Sequence, residues 1–235
     1  MLLPYSVVDV AGRGRGGARK NAGRPKTGKC RDAPHRRRPP LSPRHPVHVV
    51  LRARAGFPRL RDGRFYRALR RVLSHFLGRE GFRVVHISIQ ATHLHLLVEA
   101  TDRAALTRGM QSFAIRAARA INEAYDHRSG KVFAYRYHAT QITTPRQARN
   151  TLAYVLNNWR KHRQDLGSRR AFEAALDPYS SGISFTGWKG APRYRVPQTY
   201  TPLPVSAART DLLGHTWRRY GTIDVFAKPG PIGFF

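Results

Sequence analysis

Between residues 47 and 161 the apolar and polar positions fall into seven successive patterns. Val47-His48-Val49-Val50-Leu51-Arg52-Ala53, bounded by Pro46 and Gly56, is rich in β-branched residues and predicts a strand. Phe65, Leu69, Val72 and Phe76 recur at helical spacing, with Asp62 as a cap before them and Gly78 after. Phe82 to Gln90 alternates Val85, Ile87 and Ile89 with His86, Ser88 and Gln90. His93 to Ala100 alternates Leu94, Leu96 and Val98 with His93, His95, Leu97 and Glu99. Only Ala91-Thr92 separates these two runs, so they read as a hairpin. A second helix opens at Thr101 or Asp102 and keeps Leu106, Met110, Phe113, Ala117 and Ile121 on one stripe. Phe133 to Ile142 predicts a Tyr-rich strand, and Thr144-Pro145 supplies the cap and first turn of a third helix. The order β-α-β-β-α-β-α is a split-βαβ pattern. It predicts an α+β, ferredoxin-like fold, with helices packed on one face of a mainly antiparallel sheet.

The flanks differ from this centre. Residues 1–45 hold twelve Lys or Arg and two Asp with almost nothing apolar after Val10, and predict a disordered basic arm. Residues 46–166 form the patterned domain, and residues 167–235 read as an irregular basic and aromatic extension carrying Trp188 and Trp217. The whole chain has 43 Lys and Arg against 13 Asp and Glu, a net charge of +30, of which the arm holds only a third. A compact domain with that excess repels itself unless a polyanion neutralises it, so the charge points to nucleic acid. Arg outnumbers Lys 36 to 7, which a GC-rich coding sequence helps to explain, but such bias does not remove acidic residues. Cys30 is the only cysteine, which excludes an intramolecular disulfide and a Cys-based zinc site and fits a cytoplasmic chain. The opening residues are too short and too broken by Pro4 for a signal peptide, and no run suffices for a membrane span, so no membrane partner is expected.

The candidate chemistry begins on the second hairpin strand. Residues two apart on a strand lie on one face about 6–7 Å apart, so the imidazoles of His93 and His95 can reach one ion while Leu94 points to the core. Two histidines at alternate positions of a half-exposed strand also arise with no ion to bind, and a third ligand decides between the two. At about 100° per residue, Ala148, Leu152, Val155, Leu156 and Trp159 make the buried stripe of the third helix. Tyr154 and Asn158 fall one turn apart on a shared flank. Tyr154 is thereby available for chemistry, with Asn158 beside it offering a neutral oxygen to a hard cation.

These residues carry a resemblance. His93-Leu94-His95 followed by Leu96-Leu97-Val98-Glu99, then Gly130-Lys131-Val132-Phe133 with Arg136-Tyr137-His138, then Tyr154-Val155-Leu156-Asn157-Asn158, resembles the single-tyrosine HUH transposases. The nearest branch is the REP-associated tyrosine transposases, relatives of the IS200-type enzymes, and the likeness covers roughly residues 45–165. It implies His93, His95 and Asn158 as ligands of a divalent ion and Tyr154 as the nucleophile on single-stranded DNA. Two positions depart from the related sequences: Trp159 stands where Pro usually follows the helix Asn, and Ala91-Thr92 where Pro-Asn commonly precedes the first His.

The implied chemistry is self-consistent. A phenol that forms a covalent link conserves the energy of the cleaved phosphodiester, leaving a 5′-phosphotyrosine and a free 3′-hydroxyl, and no small-molecule cofactor is needed. Two imidazoles and an amide are neutral, so the ion keeps its charge for the phosphate and is expected to be exchangeable Mg²⁺ or Mn²⁺. Arg136 and His138, with Arg160 and Lys161 on the third helix, are expected to contact the nucleic acid, though each equally suits a solvated face. Gly23-Arg24-Pro25-Lys26 resembles the core of an AT-hook, whose Arg24 would enter a minor groove. The expected activity is cleavage and rejoining of single-stranded or hairpin DNA by a monomer or homodimer. The alternatives are a non-catalytic hairpin-binding protein on the same fold and a metal-assisted nuclease in which water replaces tyrosine.

Overall fold

A computed structural model of the chain describes residues 39–125, 129–166, 176–190 and 199–230. Four strands, β1 (Val47–Arg52), β2 (Phe82–Ile89), β3 (His93–Ala100) and β4 (His138–Gln141), form one antiparallel sheet in the order β2-β3-β1-β4. With helices α1 (Gly63–Ser74) between β1 and β2 and α2 (Arg103–Ala124) between β3 and β4, this is the ferredoxin-like arrangement. A third helix, α3 (Pro145–Lys161), follows β4. Among the described residues no helix is long and apolar enough to cross a membrane.

Local chemistry sets the helix starts. Asp62 Oδ1 accepts from the Arg64 and Phe65 amides at 2.8 and 3.4 Å, and Asp102 Oδ1 from Ala105 N at 2.8 Å. Thr144 Oγ1 accepts from Gln147 N at 3.2 Å, with Pro145 in the first turn. Each side chain satisfies a donor that the first turn leaves unpaired.

The two crossover helices bury Phe65, Leu69, Val72, Met110, Phe113 and Ile121 against one face of the sheet, built from Val47, Val49, Leu51, Ile87, Leu94, Leu96 and Val98. Gly109 lets α2 approach closely, because a Cβ there would overlap the Phe82 ring. Helix α3 does not share that face. It packs on the other one, where Leu152, Val155 and Leu156 meet Val85, Leu97, Phe185, Trp188, Leu213 and Trp217 in a second core. Helices on one face therefore describes α1 and α2 only. The reason lies in Leu176 and the apolar residues after it, which supply enough surface to bury a helix on the sheet's far side.

Two details differ from simple alternation. A bulge between Val84 and His86 turns Val85 toward α3 while Ile87 and Ile89 stay in the first core. The predicted strand over 133–142 pairs in two pieces, Phe133 with Ala53 and His138 with Val50. β1 advances three residues between these pairings and its partner advances five. The two surplus residues bow outward, leaving Tyr135 and Arg136 exposed.

The extension is tied down by ionic contacts as well. Arg61 forms a two-pronged pair with the buried Asp177 carboxylate at 2.7 and 3.0 Å and donates to the Ile89 carbonyl at 2.9 Å. At the other end of the hairpin, buried Glu99 accepts from Arg83 and from Arg209 N, Thr210 N and Thr210 Oγ1. Each buried carboxylate is thus compensated.

Candidate active site

The face of the sheet that α3 covers carries a cluster of imidazoles. Pairing places Arg52 opposite His93, Val50 opposite His95 and His48 opposite Leu97, so His48, His93 and His95 share that face. Tyr154 comes down from α3 onto the imidazoles: its ring centre lies 5.3 Å from that of His95 and 6.1 Å from that of His48, both edge-on. Lys161 Nζ sits 4.8 Å from the Tyr154 ring centre, and His162, the residue that caps α3, packs edge-on against His93 at 5.6 Å. His93 and Tyr154 are partly exposed, which keeps the cluster in reach of solvent.

Two close imidazole contacts differ in kind. His48 Nε2 and His95 Nδ1 are 3.0 Å apart, with ring centres separated by 5.2 Å and planes 21° apart. That separation is what two five-membered rings joined edge to edge through such a contact require, so the hydrogen bond runs along the line between ring centres. His93 Nε2 and His95 Nε2 are 2.9 Å apart, but their ring centres are only 4.6 Å apart and the planes 88°. Here the rings meet at a right angle and at least one ring axis lies off the line joining the nitrogens, an arrangement compatible with two adjacent ligands on one ion. At metal–ligand distances of about 2.1 Å, two ligands at a right angle stand about 3 Å apart.

Asn158 lies one helical turn beyond Tyr154 on α3. It is fully buried, and neither Oδ1 nor Nδ2 has a hydrogen-bond partner. A buried amide is rarely left so, and an orphaned neutral oxygen one helical turn from Tyr154 suits a hard cation. Among the described residues no three His, Cys, Asp or Glu side chains are grouped to hold a metal ion.

Burial governs the electrostatics. It pushes His48 and His93 down to about 4, with His93 adding to the effect on His48, and His162 and Arg52 adding to that on His93. His95 is held well below the ordinary range, first by burial and then by His48 and His93. All three imidazoles are therefore neutral near pH 7, the form in which nitrogen lone pairs bind metals. Burial raises Tyr154 above the usual phenol value, and the neighbouring Asn158 carboxamide offsets part of that rise without making a hydrogen bond of good geometry.

The sequence-predicted residues divide. His93, His95, Tyr154 and Asn158 meet in one cluster. Lys161 joins it, closer to the phenol than the reading of a DNA contact alone implies. His138 is exposed on the site face, across β1 from His95, and Arg136 is exposed on the extruded loop. Arg160 is placed differently from the other expected DNA contacts. Its guanidinium is largely buried, bonded to Asp165 Oδ2 at 3.2 Å and to the Val225 carbonyl at 2.7 Å, and it fastens the extension instead of facing a ligand. Arg24 lies outside the described residues. Trp159 is 1% exposed, so α3 uses it as a core residue. Sequence reasoning passed over His48 and His162. His48 was visible as the polar position of a β-branched strand, but only the strand order brings it to His95.

Residues 42–158 match the family described as "Transposase IS200 like". No curated protein matches the chain. Among solved structures, a REP-associated tyrosine transposase bound to a REP hairpin aligns with a TM-score of 0.45 and 14% identity, over 55% of this chain and 74% of that one. A candidate transposase from Deinococcus radiodurans R1 aligns with a TM-score of 0.36 and 17% identity, over 46% of this chain and 85% of that one.

Proposed function

Since the chain belongs, through residues 42–158, to the IS200-like transposase family, we propose that it is a metal-dependent strand transferase acting on single-stranded or hairpin DNA, with Tyr154 as its nucleophile. The observation that carries this reading is the packing of the Tyr154 ring on His95, beside His93 and the unpartnered Asn158.

The Tyr154 oxygen attacks phosphorus in line with the departing 3′-oxygen. The phenol gives up its proton, the P–O3′ bond breaks as the P–O(Tyr) bond forms, and the 3′-oxygen leaves as a hydroxyl after taking up a proton. Rejoining reverses these exchanges with another 3′-hydroxyl as the attacking group, so no external energy source is consumed. His93, His95 and Asn158 would hold a divalent ion, Mg²⁺ or Mn²⁺, which when bound supplies Lewis-acid polarisation of a nonbridging phosphate oxygen. Lys161 brings a positive charge over the Tyr154 ring, where it favours the phenolate and attracts the phosphate. Arg136 and His138 extend a basic path from the cluster along the β4 edge, suited to a phosphate backbone.

The test is a Tyr154→Phe variant incubated with Mn²⁺ and hairpin oligonucleotides labelled at the 3′ end. Wild-type protein is expected to retain the label on a denaturing gel, because a 5′-phosphotyrosine joins the enzyme to the downstream fragment. The variant is expected to bind the hairpin and retain none. Label retained by the variant would refute the assignment.

A further inference from the structure

We propose that His48 is a positioning residue for His95: its Nε2 accepts the Nδ1 proton of His95 and so keeps the His95 Nε2 lone pair bare and aimed at the ion. The inference rests on the reading of His93, His95 and Asn158 as ligands.

The geometry leaves little choice. An imidazole carries one proton when neutral, and its position is set by the bond the other nitrogen makes. His95 turns Nε2 toward His93 and Nδ1 toward His48, at 2.9 and 3.0 Å. The His48 contact has the collinear form of a hydrogen bond and the His93 contact does not. If His95 Nε2 is to bind an ion, the proton must sit on Nδ1, and His48 Nε2 must accept it. His48 is 4% exposed and lies between β1 and α3, so water does not compete for that proton. Metal-bound histidines generally need such an outer partner to fix ring and tautomer. Here the partner is a neutral imidazole in place of a carboxylate, so it orients the ligand without adding negative charge that would blunt the ion's pull on phosphate. The Tyr154 ring rests edge-on against both imidazoles, so the same contact also fixes the floor beneath the nucleophile.

Two measurements test this. In metal-free wild-type protein, long-range ¹H–¹⁵N spectra of the histidine rings should show His95 protonated on Nδ1 and His48 bare on Nε2; His95 protonated on Nε2 overturns the proposal. Calorimetric Mn²⁺ titration of wild type, His48→Phe and His48→Gln supplies the second, with hairpin binding in EDTA as the control for folding. His48→Phe fills the space but accepts no proton and should bind Mn²⁺ about 10–100-fold more weakly. His48→Gln retains an acceptor and should recover most of the affinity. Unchanged affinity in His48→Phe, or a loss in His48→Gln as large as in His48→Phe, overturns the proposal while leaving the metal reading standing. Wild-type protein that binds no Mn²⁺ overturns both.

Discussion

The Asn158 carboxamide is buried with neither polar atom hydrogen-bonded, and a buried unsatisfied group of this kind costs about 1–3 kcal/mol. A fold maintained by stability alone would place an apolar side chain there. Asn158→Leu, which keeps the branching at Cγ and removes both polar atoms, is therefore expected to raise the urea unfolding midpoint, with a gain on the order of 1 kcal/mol, while abolishing Mn²⁺-dependent adduct formation. A variant that is less stable and still active would show that the amide serves packing. At this scale the proximity of the candidate residues was legible in part. His93 and His95 followed from strand alternation, and Tyr154 and Asn158 from a helical wheel, because both signals are local. The partners of Arg160 were not legible, since a wheel gives the direction of a side chain but not the Asp165 and Val225 groups that it meets.

Between elements, strand β2 meets the short 3-10 turn Ser181–Ser184 through His86, whose Nδ1 lies 3.1 Å from Ser181 Oγ. That hydroxyl also accepts from Ile87 N at 3.0 Å. Burial lowers His86 to about 4, so the folded state holds it neutral where the unfolded chain, near 6.5, takes up a proton. Stability from this group is complete above pH 6.5 and lost as the pH falls from there toward 4. Replacing His86 with Asn should remove one proton's worth of the slope of unfolding free energy against pH in that window, about 1.4 kcal/mol per pH unit, in urea titrations between pH 4 and 7. An unchanged slope would contradict the burial argument. The elements themselves were readable from caps and periodicities, and all three predicted helices start where Asp62, Asp102 and Thr144 place them. The side of the sheet that α3 takes was not, because it depends on apolar residues of the extension scattered without a period, such as Trp188 and Trp217. The outward bow at Tyr135 and Arg136 was equally hidden, since it arises from a mismatch in pairing register with β1 and not from any residue in the bow.

Over the whole molecule the net charge of +30 sets the physics of association. If the bound hairpin has six to ten phosphates contacted, affinity should fall about 10³–10⁵-fold between 50 and 200 mM salt. Removing residues 1–38, which carry eleven Lys or Arg and two Asp, should flatten that dependence without affecting cleavage at low salt. Binding indifferent to salt would disconnect the charge from function. Charge draws the strand in, but the account stands on the phenol that meets it. The most direct measurement is to trap the covalent product with Mn²⁺ and a hairpin oligonucleotide, digest both components and locate the nucleotide by tandem mass spectrometry. The account predicts a nucleotide on the peptide containing Tyr154, lost when His93 and His95 are both replaced by Ala; a nucleotide on another tyrosine, or cleaved DNA with no modified peptide, would contradict it.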